Sequence, residues 1–334
     1  MRLGYSLSYW GGQGLGPADH LTLVKEAEAL GYDSVWAAET YGTDPVTLLG
    51  WIAGQTTRIG LGTGVLQMPG RRPVVSAMAA ATLDQISGGR ARLGLGVSGP
   101  QVVEGWHGVP FERPLEFARD YLTVARMALD HRPVSHTGPT ITVPVPGGQG
   151  KELTLGVSTV QERLPIYLAA MGPRNIALAG ELADGWLSIH TPPELIAEHR
   201  GGFRPGFDVA PMMLTLVEED EGLAYDMMRP NLALYLGGMG SRRTNFYNRL
   251  AGRLGFEKEA LAVQEAFLDG RQGEAMNHIS DELLDAMTIC GPEDKVSERF
   301  DAYREAGATT LVVGLVVPTL RMKIDQLRLI ADLV

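Results

Sequence analysis

Residues 59–99 read IGLGTGVLQMPGRRPVVSAMAAATLDQISGGRARLGLGVSG and contain one strand–helix–strand repeat. The runs at 59–66 and 91–97 are predicted as strands, and the segment at about 74–87 between them is predicted as a helix. Two parallel strands need a crossover connection of about this length, and that connection is usually a helix. The stretch therefore predicts one βα unit of a parallel sheet.

The same alternation continues outward from this stretch over nearly the whole chain. Further strands are predicted at 3–9, 34–39, 165–170, 185–190, 210–219 and 310–317. Further helices are predicted at 18–30, 45–56 and 114–130, from Pro173, and at the C-terminus. Eight βα units predict a closed (β/α)8 TIM barrel, which is an α/β fold. We expect residues 1–334 to form a single domain, with insertions at about 133–164 after the fourth strand and at about 223–290 after the seventh.

Residues 94–99 spell Gly-Leu-Gly-Val-Ser-Gly, which matches the G-x-G-x-x-G fingerprint of dinucleotide-binding folds. That fingerprint requires a helix that starts within the glycine turn, so that its N-terminus meets the pyrophosphate. Here Pro100 follows, and no helix is predicted before about 114. The motif also lies on the fourth strand, whereas it normally opens its domain. A dinucleotide site is therefore disfavoured, and glycines that only relieve packing inside the barrel remain an alternative.

Two glycine-rich segments end neighbouring strands, Gly62–Val65 on the third and Gly96–Gly99 on the fourth. In a (β/α)8 barrel the C-terminal strand ends form the active-site face. A glycine inside a strand often marks a bulge or the close approach of a ligand. We therefore expect a flat, wide ligand to bind at this face.

An anion site is predicted where the fifth strand meets its helix. Residues 169–176 read AAMGPRNI, in which Gly172 precedes Pro173, a favoured first helical residue. Backbone N–H groups at the start of a helix bind phosphate, and Arg174 and Asn175 fall in the first turn. The alternative is an ordinary strand-to-helix turn whose arginine points to water.

Taken together, these segments resemble the bacterial luciferase-like superfamily, and more closely its coenzyme F420-dependent branch, which includes methylenetetrahydromethanopterin reductase. The resemblance rests on GYDSVWAAE at 31–39, on 59–99, and on LPIYLAAMGPRNIALAGELADGW at 164–186, and it spans nearly the whole chain. It implies a (β/α)8 barrel, coenzyme F420 or alternatively FMN as the cofactor, and an oxidoreductase activity.

The resemblance also implies a set of cofactor-binding residues. In relatives the third strand ends in a bulge with a cis peptide behind the middle ring of the deazaflavin, and here that bond would join Gly64 and Val65. The other residues implied to contact the ring or the phosphate are Glu39, Thr40, Gln67, Val97, Ser98, Met171, Gly172, Arg174 and Asn175. Structural alternatives exist, since Glu39 could cap a loop and Ser98 could satisfy local backbone.

The proton-transfer groups depart from one member of the branch. In the F420-dependent glucose-6-phosphate dehydrogenases a catalytic histidine occupies the position of Thr40, and a glutamate that of Gly99. Sugar-phosphate oxidation by that route is therefore disfavoured. The candidate catalytic residues are Glu39, Thr40 at the position of the histidine, and His190 at the end of the sixth strand. Bound water or the substrate could instead carry the proton, and His190 could be a passive wall of the pocket.

Composition limits the partners and the location. The net charge is −10 and no dense run of Lys or Arg occurs, which disfavours nucleic acid. No 18-residue apolar run or signal-peptide core occurs, so we expect no membrane segment and a cytoplasmic location. Cys290 cannot form an intrachain disulfide and is expected to be a small buried residue. No metal site is predicted, since His131 and His136 have no convincing third ligand.

Three functions are compatible with the sequence. The leading one is an F420-dependent oxidoreductase that moves a hydride between deazaflavin C5 and an electrophilic C=C, C=N or C=O bond of a small substrate. The second is an FMN-dependent monooxygenase on the same fold, and the third is a catalytically silent flavin or deazaflavin binder. Relatives are commonly dimers, so the resemblance also implies a homodimer. The substrate itself is not identified by any motif.

Overall fold

Eight parallel strands close into a barrel in the computed structural model of the chain, which describes residues 1–7, 14–39 and 41–334. The first to eighth barrel strands are Arg2–Ser6, Ser34–Ala37, Gly60–Thr63, Ala91–Gly96, Ile166–Ala169, Gly185–Ile189, Asp208–Val217 and Thr310–Leu315. Each strand pairs in parallel with the next, and the eighth pairs with the first. The predicted (β/α)8 barrel is confirmed. Ser8 and Tyr9, which were predicted to end the first strand, lie outside the described residues.

Helices alternate with these strands and also form most of the second insertion. They are α1 Pro17–Ala29, α2 Pro45–Ala53, α3 Pro73–Ser87, α4 Pro100–Gly105, α5 Pro114–Leu129, α6 Pro173–Leu182, α7 Pro193–His199, α8 Glu221–Ala233, α9 Phe246–Arg253, α10 Glu257–Leu268, α11 Gln272–Asn277, α12 Asp281–Met287, α13 Glu293–Ala306 and α14 Leu320–Asp332. Each helix from α1 to α7 begins at a proline. Proline suits this position because the first helical turn leaves its N–H groups unpaired in any case. None of the described helices is long and apolar enough to cross a membrane.

Side chains around Trp36 fill the interior of the barrel. This ring is fully buried and packs with Tyr167, Leu187, Ala210 and Val312. The ring centroids of Trp36 and Tyr167 lie 5.0 Å apart at an interplanar angle of 80°, an edge-to-face arrangement that aromatic pairs favour. The barrel centre is therefore a packed core, and ligands are confined to its ends.

Two glycines of the strands are required by this packing. A Cβ on Gly62 would lie 2.2 Å from Cε3 of Trp36, and a Cβ on Gly94 would lie 1.9 Å from the carbonyl oxygen of Thr63. Both distances are far below the roughly 3.5–4.0 Å of a normal contact between carbon atoms. Packing inside the barrel therefore requires glycine at both positions.

The third strand differs from the predicted single strand at 59–66. The peptide bond between Gly64 and Val65 is cis. Beyond it, the short strand Leu66–Gln67 pairs with the fourth barrel strand. The structure therefore divides the predicted strand into two at the glycine-rich segment.

The insertion predicted at about 133–164 contains an antiparallel hairpin formed by His136–Thr137 and Thr142–Val143. The buried carboxylate of Asp120 anchors it, accepting hydrogen bonds from Nε2 of His136 at 3.0 Å and from the backbone N–H of Thr140 at 2.8 Å. His136 therefore fixes the hairpin to helix α5.

The insertion predicted at about 223–290 is mostly helical. Its helices share an apolar core with Leu216 at the end of the seventh strand. The chain returns through the strand Ile289–Gly291, which pairs with the last residues of the seventh strand and was not predicted. Cys290 lies on this strand and is buried, as predicted, and burial raises the pKa of its thiol to about 11. That the insertion and the barrel form a single domain stays a prediction.

One step of the sequence interpretation is wrong. Helix α4 begins at Pro100, directly after Gly99, where no helix was expected before about 114. Its six residues are too few to show a helical period in the sequence. The rejection of a dinucleotide fold stands on other grounds, because residues 94–99 lie at the end of a strand in a closed barrel.

Candidate active site

A cavity of about 1430 Å³ opens at the C-terminal ends of the barrel strands. Residues on and directly after the barrel strands form one side, which we call the barrel wall. Residues within 231–264 of the second insertion form the other side, which we call the insertion wall. Pockets for small ligands usually measure roughly 300–1,000 Å³. This cavity can therefore hold a cofactor and a second molecule together.

Nine of the residues implied by the resemblance line this cavity. They are Gly64, Val65, Gln67, Val97, Ser98, Met171, Gly172, Arg174 and Asn175. They meet because parallel strands of a barrel present their C-terminal ends at the same face. Of the other candidates, Glu39 and His190 are not among the described lining residues, and Thr40 lies outside the described residues.

Glu39 lies behind the barrel wall and holds the segment that follows the third strand. Its carboxylate accepts a hydrogen bond from the backbone N–H of Gln67 at 2.6 Å and two from the Arg71 guanidinium at 2.9 and 2.7 Å. Arg71 also bonds the carboxylate of Asp44. These donors fix the carboxylate of Glu39 in place, so its visible role is to orient Gln67.

Gln67 lines the cavity, and His107 holds its side chain in place. The Oε1 atom of Gln67 and the Nε2 atom of His107 lie 2.6 Å apart. An amide oxygen can only accept, so His107 donates from Nε2 and the amide NH2 of Gln67 is left to donate elsewhere. A Cβ on Gly70 would lie 2.6 Å from Cε1 of His107, so glycine leaves room for this contact. Sequence reasoning missed His107, for which no motif gives a signal, and Arg71, which directly follows Gly70.

His190 is fully buried and takes part in the junction between the two walls. Its Nδ1 atom lies 2.8 Å from the carbonyl oxygen of Met287, so Nδ1 carries the proton and Nε2 presents a lone pair. No described residue forms a hydrogen bond to that Nε2 atom. Burial lowers the pKa of His190 to about 4, although the hydrogen bond to Met287 opposes this shift. The imidazole packs against Tyr235, with ring centroids 4.5 Å apart, and Tyr235 itself lines the cavity.

The backbone at the predicted anion site has the expected form. Gly172 is the N-cap residue of helix α6, with φ −95° and ψ 149°. A Cβ on Gly172 would meet no atom within 4 Å, so this backbone borders open space. The N–H groups of Arg174 and Asn175 belong to the first turn, where no intrahelical acceptor exists. An open glycine followed by unpaired N–H groups fits the phosphate of a cofactor.

The insertion wall and the helix α6 start carry a concentration of arginines that sequence reasoning missed. We call this set the arginine rim, and its members are Arg174, Arg242, Arg243, Arg249 and Arg253. Glu257 is the single acidic residue among the described residues that line the cavity. The sequence did contain a signal for this set, because four arginines fall within residues 242–253 of a chain that is acidic overall.

A closed (β/α)8 barrel whose large cavity lies at the C-terminal strand ends has the architecture of a barrel enzyme. The family described as luciferase-like monooxygenase matches residues 1–310 of the chain. The chain therefore belongs to the luciferase-like monooxygenase family, in its branch of coenzyme F420-dependent oxidoreductases. This confirms the resemblance.

Two curated relatives cover most of the chain. A Mycobacterium tuberculosis protein named "Putative coenzyme F420-dependent oxidoreductase" is 40% identical over 330 residues, which are 94% of each chain. The 5,10-methylenetetrahydromethanopterin reductase of Archaeoglobus fulgidus is 30% identical over 302 residues, which are 87% of each chain.

The fold is shared with solved structures of an F420-dependent enzyme and of an enzyme in complex with FMN. The coenzyme F420-dependent tetrahydromethanopterin reductase of Methanopyrus kandleri matches with a TM-score of 0.82 and 24% identity, over 100% of this chain and 98% of that one. The oxygenating constituent of 3,6-diketocamphane monooxygenase from Pseudomonas putida, in complex with FMN, matches with a TM-score of 0.68 and 19% identity, over 99% and 97%. The fold alone therefore does not separate F420 from FMN.

Proposed function

We propose that this protein binds coenzyme F420 in its cavity and exchanges a hydride with a small electrophilic substrate. The observation that carries the proposal is that glycine-bearing strand ends and the start of helix α6 line the same cavity. The strand ends offer bare backbone against which a flat ring can lie, and the helix start offers N–H groups to a phosphate. The F420-dependent relatives supply the identity of the cofactor.

The nine lining residues divide between the two ends of the cofactor. Those proposed for the ring are Gly64, Val65, Gln67, Val97 and Ser98, and those proposed for the phosphate are Met171, Gly172, Arg174 and Asn175. When bound, the deazaflavin supplies a carbon, C5, that accepts or donates a hydride. The protein supplies orientation, and the amide NH2 of Gln67 is a donor for a ring or substrate carbonyl.

For two of the candidate catalytic residues we propose positioning roles. Glu39 accepts donors from Gln67 and Arg71, and His190 is buried behind Tyr235. The proton that accompanies the hydride would then come from bound water or from the substrate. Thr40 lies outside the described residues, and its catalytic role stays a prediction.

Titration of the apoprotein with F420 and with FMN tests the cofactor assignment. We expect quenching of cofactor fluorescence with a Kd for F420 at least tenfold lower than for FMN, about 1.4 kcal/mol. Reduced F420 would then be mixed with a panel of C=C, C=N and C=O substrates, and the return of its absorbance followed. Tighter binding of FMN, with oxygen consumption by reduced FMN, would support the monooxygenase instead. Tight F420 binding without turnover of any substrate would support the silent binder.

The variant Glu39→Gln separates positioning from proton transfer. A positioning role predicts weaker cofactor binding and an unchanged shape of the pH–rate profile. A proton-transfer role predicts a lost limb of that profile with cofactor affinity retained. Arg71→Lys should mimic the first pattern, because it disturbs the same carboxylate without removing it.

We further propose that the protein acts on a small molecule as a cytoplasmic homodimer. The homodimer is proposed from the resemblance to dimeric relatives. Sedimentation at several protein concentrations would test the assembly, and a monomer at all of them would contradict it.

A further inference from the structure

Among the described residues of the insertion wall that line the cavity, three are aromatic, and we call them the aromatic cluster. Tyr235 lies in the π-helical turn Leu234–Gly238 that continues helix α8, and Phe246 and Tyr247 begin helix α9. The rings of Tyr235 and Tyr247 form an edge-to-face pair, with centroids 4.9 Å apart at an interplanar angle of 76°. The residues proposed for the cofactor ring belong to the barrel wall, so the cluster lies on the other side of the cavity from them.

The imidazole of His190 supports the two tyrosines from behind. Its centroid lies 4.5 Å from that of Tyr235 and 6.2 Å from that of Tyr247, at interplanar angles of 73° and 85°. His190 is fully buried, whereas the two tyrosines are half-buried. The three rings therefore pack edge to face, with the imidazole in the interior and the tyrosines at the cavity.

The buried amide of Asn245 joins the two chain segments that carry the tyrosines. Its Nδ2 atom donates to the carbonyl oxygens of Tyr235 at 3.0 Å and Leu236 at 2.8 Å. Its Oδ1 atom accepts from the backbone N–H groups of Tyr247 at 2.9 Å and Asn248 at 3.0 Å, which caps helix α9. All four hydrogen bonds of the amide are used in this way. The positions of the tyrosine backbones are therefore fixed before any ligand binds.

The π-helical turn that carries Tyr235 is packed closely on helix α10. A Cβ on Gly237 would lie 2.4 Å from Cβ of Phe267, and a Cβ on Gly238 would lie 2.7 Å from Cε1 of the same ring. Only glycine therefore lets the turn approach helix α10 this closely. Single π-helical turns occur frequently at functional sites, and here the turn places an aromatic side chain at the cavity.

The cluster and its apolar neighbours come close to the proposed cofactor-ring site. Cε2 of Phe246 lies 3.7 Å from the position of a Cβ on Gly99, which directly follows Ser98. Cε of Met212 lies 3.5 Å from the position of a Cβ on Gly64. A second molecule held by the cluster would therefore lie against a ring bound on the barrel wall.

The surroundings of the cluster favour an uncharged ligand. The described lining residues of the sixth to eighth barrel strands are all uncharged. Burial lowers the pKa of His190 to about 4, so its imidazole is neutral at pH 7. Burying an ion without a partner is costly. Aromatic faces can attract a cation, but the arginine rim of the same cavity would repel one.

We propose that the aromatic cluster binds the substrate and selects an uncharged molecule with a flat, conjugated ring. A flat ring packs edge to face or offset-stacked on aromatic side chains, and a flexible chain of the same size cannot reproduce these contacts. The inference rests on the proposed function and adds the substrate class to it. The electrophilic bond of the substrate would be conjugated with this ring and lie between the cluster and the barrel wall.

The test compares a ring with a chain on the same electrophile. The probes 4-phenylbut-3-en-2-one and dec-3-en-2-one share a conjugated ketone and their number of carbon atoms. Each is titrated by calorimetry into the apoprotein and into the F420-loaded protein, and benzyltrimethylammonium serves as the cationic ring.

Four variants accompany the wild type, and their melting temperatures verify folding. Phe246→Leu and Tyr247→Leu each remove one ring of the cluster, whereas Tyr247→Phe keeps the ring. Phe256→Leu is the matched control, because this ring belongs to the same insertion but is not among the described lining residues.

We expect the wild type to bind the phenyl ketone about tenfold more tightly than the chain ketone, about 1.4 kcal/mol. Tyr247→Phe and Phe256→Leu should keep this preference, and the two cluster Leu variants should reduce it to about threefold or less. The wild-type comparison needs no variant, so it stands even if a Leu variant does not fold.

Three results would overturn the proposal: a wild type that binds neither ketone or both alike, a preference that survives in both cluster Leu variants, or tighter binding of benzyltrimethylammonium. The apoprotein titrations do not require F420, so a wrong cofactor assignment would leave the ring preference intact. Turnover of reduced F420 without a ring preference would instead keep the proposed function and reject this inference.

Discussion

The barrel wall and the insertion wall face the same cavity but are built differently. Directly beneath the barrel wall, in the barrel core, contacts are close: Trp36 is fully buried, and a Cβ on Gly94 would lie 1.9 Å from a carbonyl oxygen. On the insertion wall, exposed guanidinium groups such as those of Arg243 and Arg249 meet few partners. A change at Gly94 beneath the barrel wall must therefore move backbone, whereas a change in the insertion wall moves only side chains. The comparison predicts effects on folding from the first and on ligand choice from the second.

The variant Gly94→Ala tests the barrel core beneath the barrel wall and has the largest expected effect. The new Cβ would meet the backbone oxygen of Thr63, which cannot rotate away as a side chain can. We expect the free energy of unfolding to fall by about 3 kcal/mol, the upper end for overpacking. Gly99→Ala is the control, because its Cβ would lie 3.7 Å from Cε2 of Phe246, an ordinary contact. Equal urea midpoints for the two variants would break the comparison.

The pH dependence of stability tests the junction between the walls at His190. Burial lowers its native pKa to about 4 from 6.5, so the unfolded state binds a proton first as the pH falls through this window. The contribution of neutral His190 to the free energy of unfolding is complete above pH 6.5. It falls by about 3 kcal/mol as the pH drops towards 4, at 1.36 kcal/mol per pKa unit. His190→Asn removes the titration while suiting the φ of 54° at this position. Urea unfolding should show a shallower acid loss in the variant, and parallel curves would contradict this account.

The variant Gly64→Val tests the edge of the barrel wall, where it borders the cavity. Its Cβ would lie 3.2 Å from Cβ of Trp36 and 3.5 Å from Cε of Met212, which is tight but tolerable. We expect a folded protein whose cofactor affinity falls on the order of 30-fold, about 2 kcal/mol, with reduced turnover. Gly64→Ala should give a smaller loss. Unchanged affinity in fluorescence titration would remove Gly64 from the proposed ring site.

The variant Gly172→Asp tests the open side of the cavity and has the smallest expected effect. No atom lies within 4 Å of its Cβ position, so stability should be unchanged. The added carboxylate would repel the cofactor phosphate, and affinity should fall at least tenfold, about 1.4 kcal/mol. Gly172→Ala, which adds bulk without charge, serves as the control. If the Asp variant bound the cofactor as tightly as the Ala variant, the phosphate would have to bind elsewhere.

The barrel could be predicted from the sequence because its βα units repeat the same pattern. Hydrophobic runs mark the strands, and prolines such as Pro17 and Pro173 mark helix starts that the structure has at the same residues. Short elements were not predicted, because helix α4 and the strand Ile289–Gly291 are too brief to show a hydrophobic period in the sequence. Their existence depends on neighbours that the local sequence does not reveal.

Side-chain direction at the candidate site could not be predicted. Glu39 and His190 lie just beyond strand ends, as expected. Their contacts come from distant parts of the chain, however: Arg71 holds the carboxylate of Glu39, and the carbonyl oxygen of Met287 holds the imidazole of His190. The glycines show the same limit. Gly62 and Gly64 look alike in sequence, yet only the structure shows that a Cβ on Gly62 would lie 2.2 Å from the Trp36 ring and that Gly64 lines the cavity.

The seventh strand is the longest of the barrel, and its end pairs with Ile289–Gly291 just before the chain re-enters the barrel. The backbone N–H of Glu218 also donates to the carbonyl oxygen of Gly291 at 2.9 Å. The segment of roughly seventy residues between these points therefore begins and ends at the same place on the barrel. Closing a loop costs only about 0.6 kcal/mol more for each doubling of its length. Evolution, or an engineer, can thus exchange this segment for one of another length and ligand preference while the eight strands keep their register.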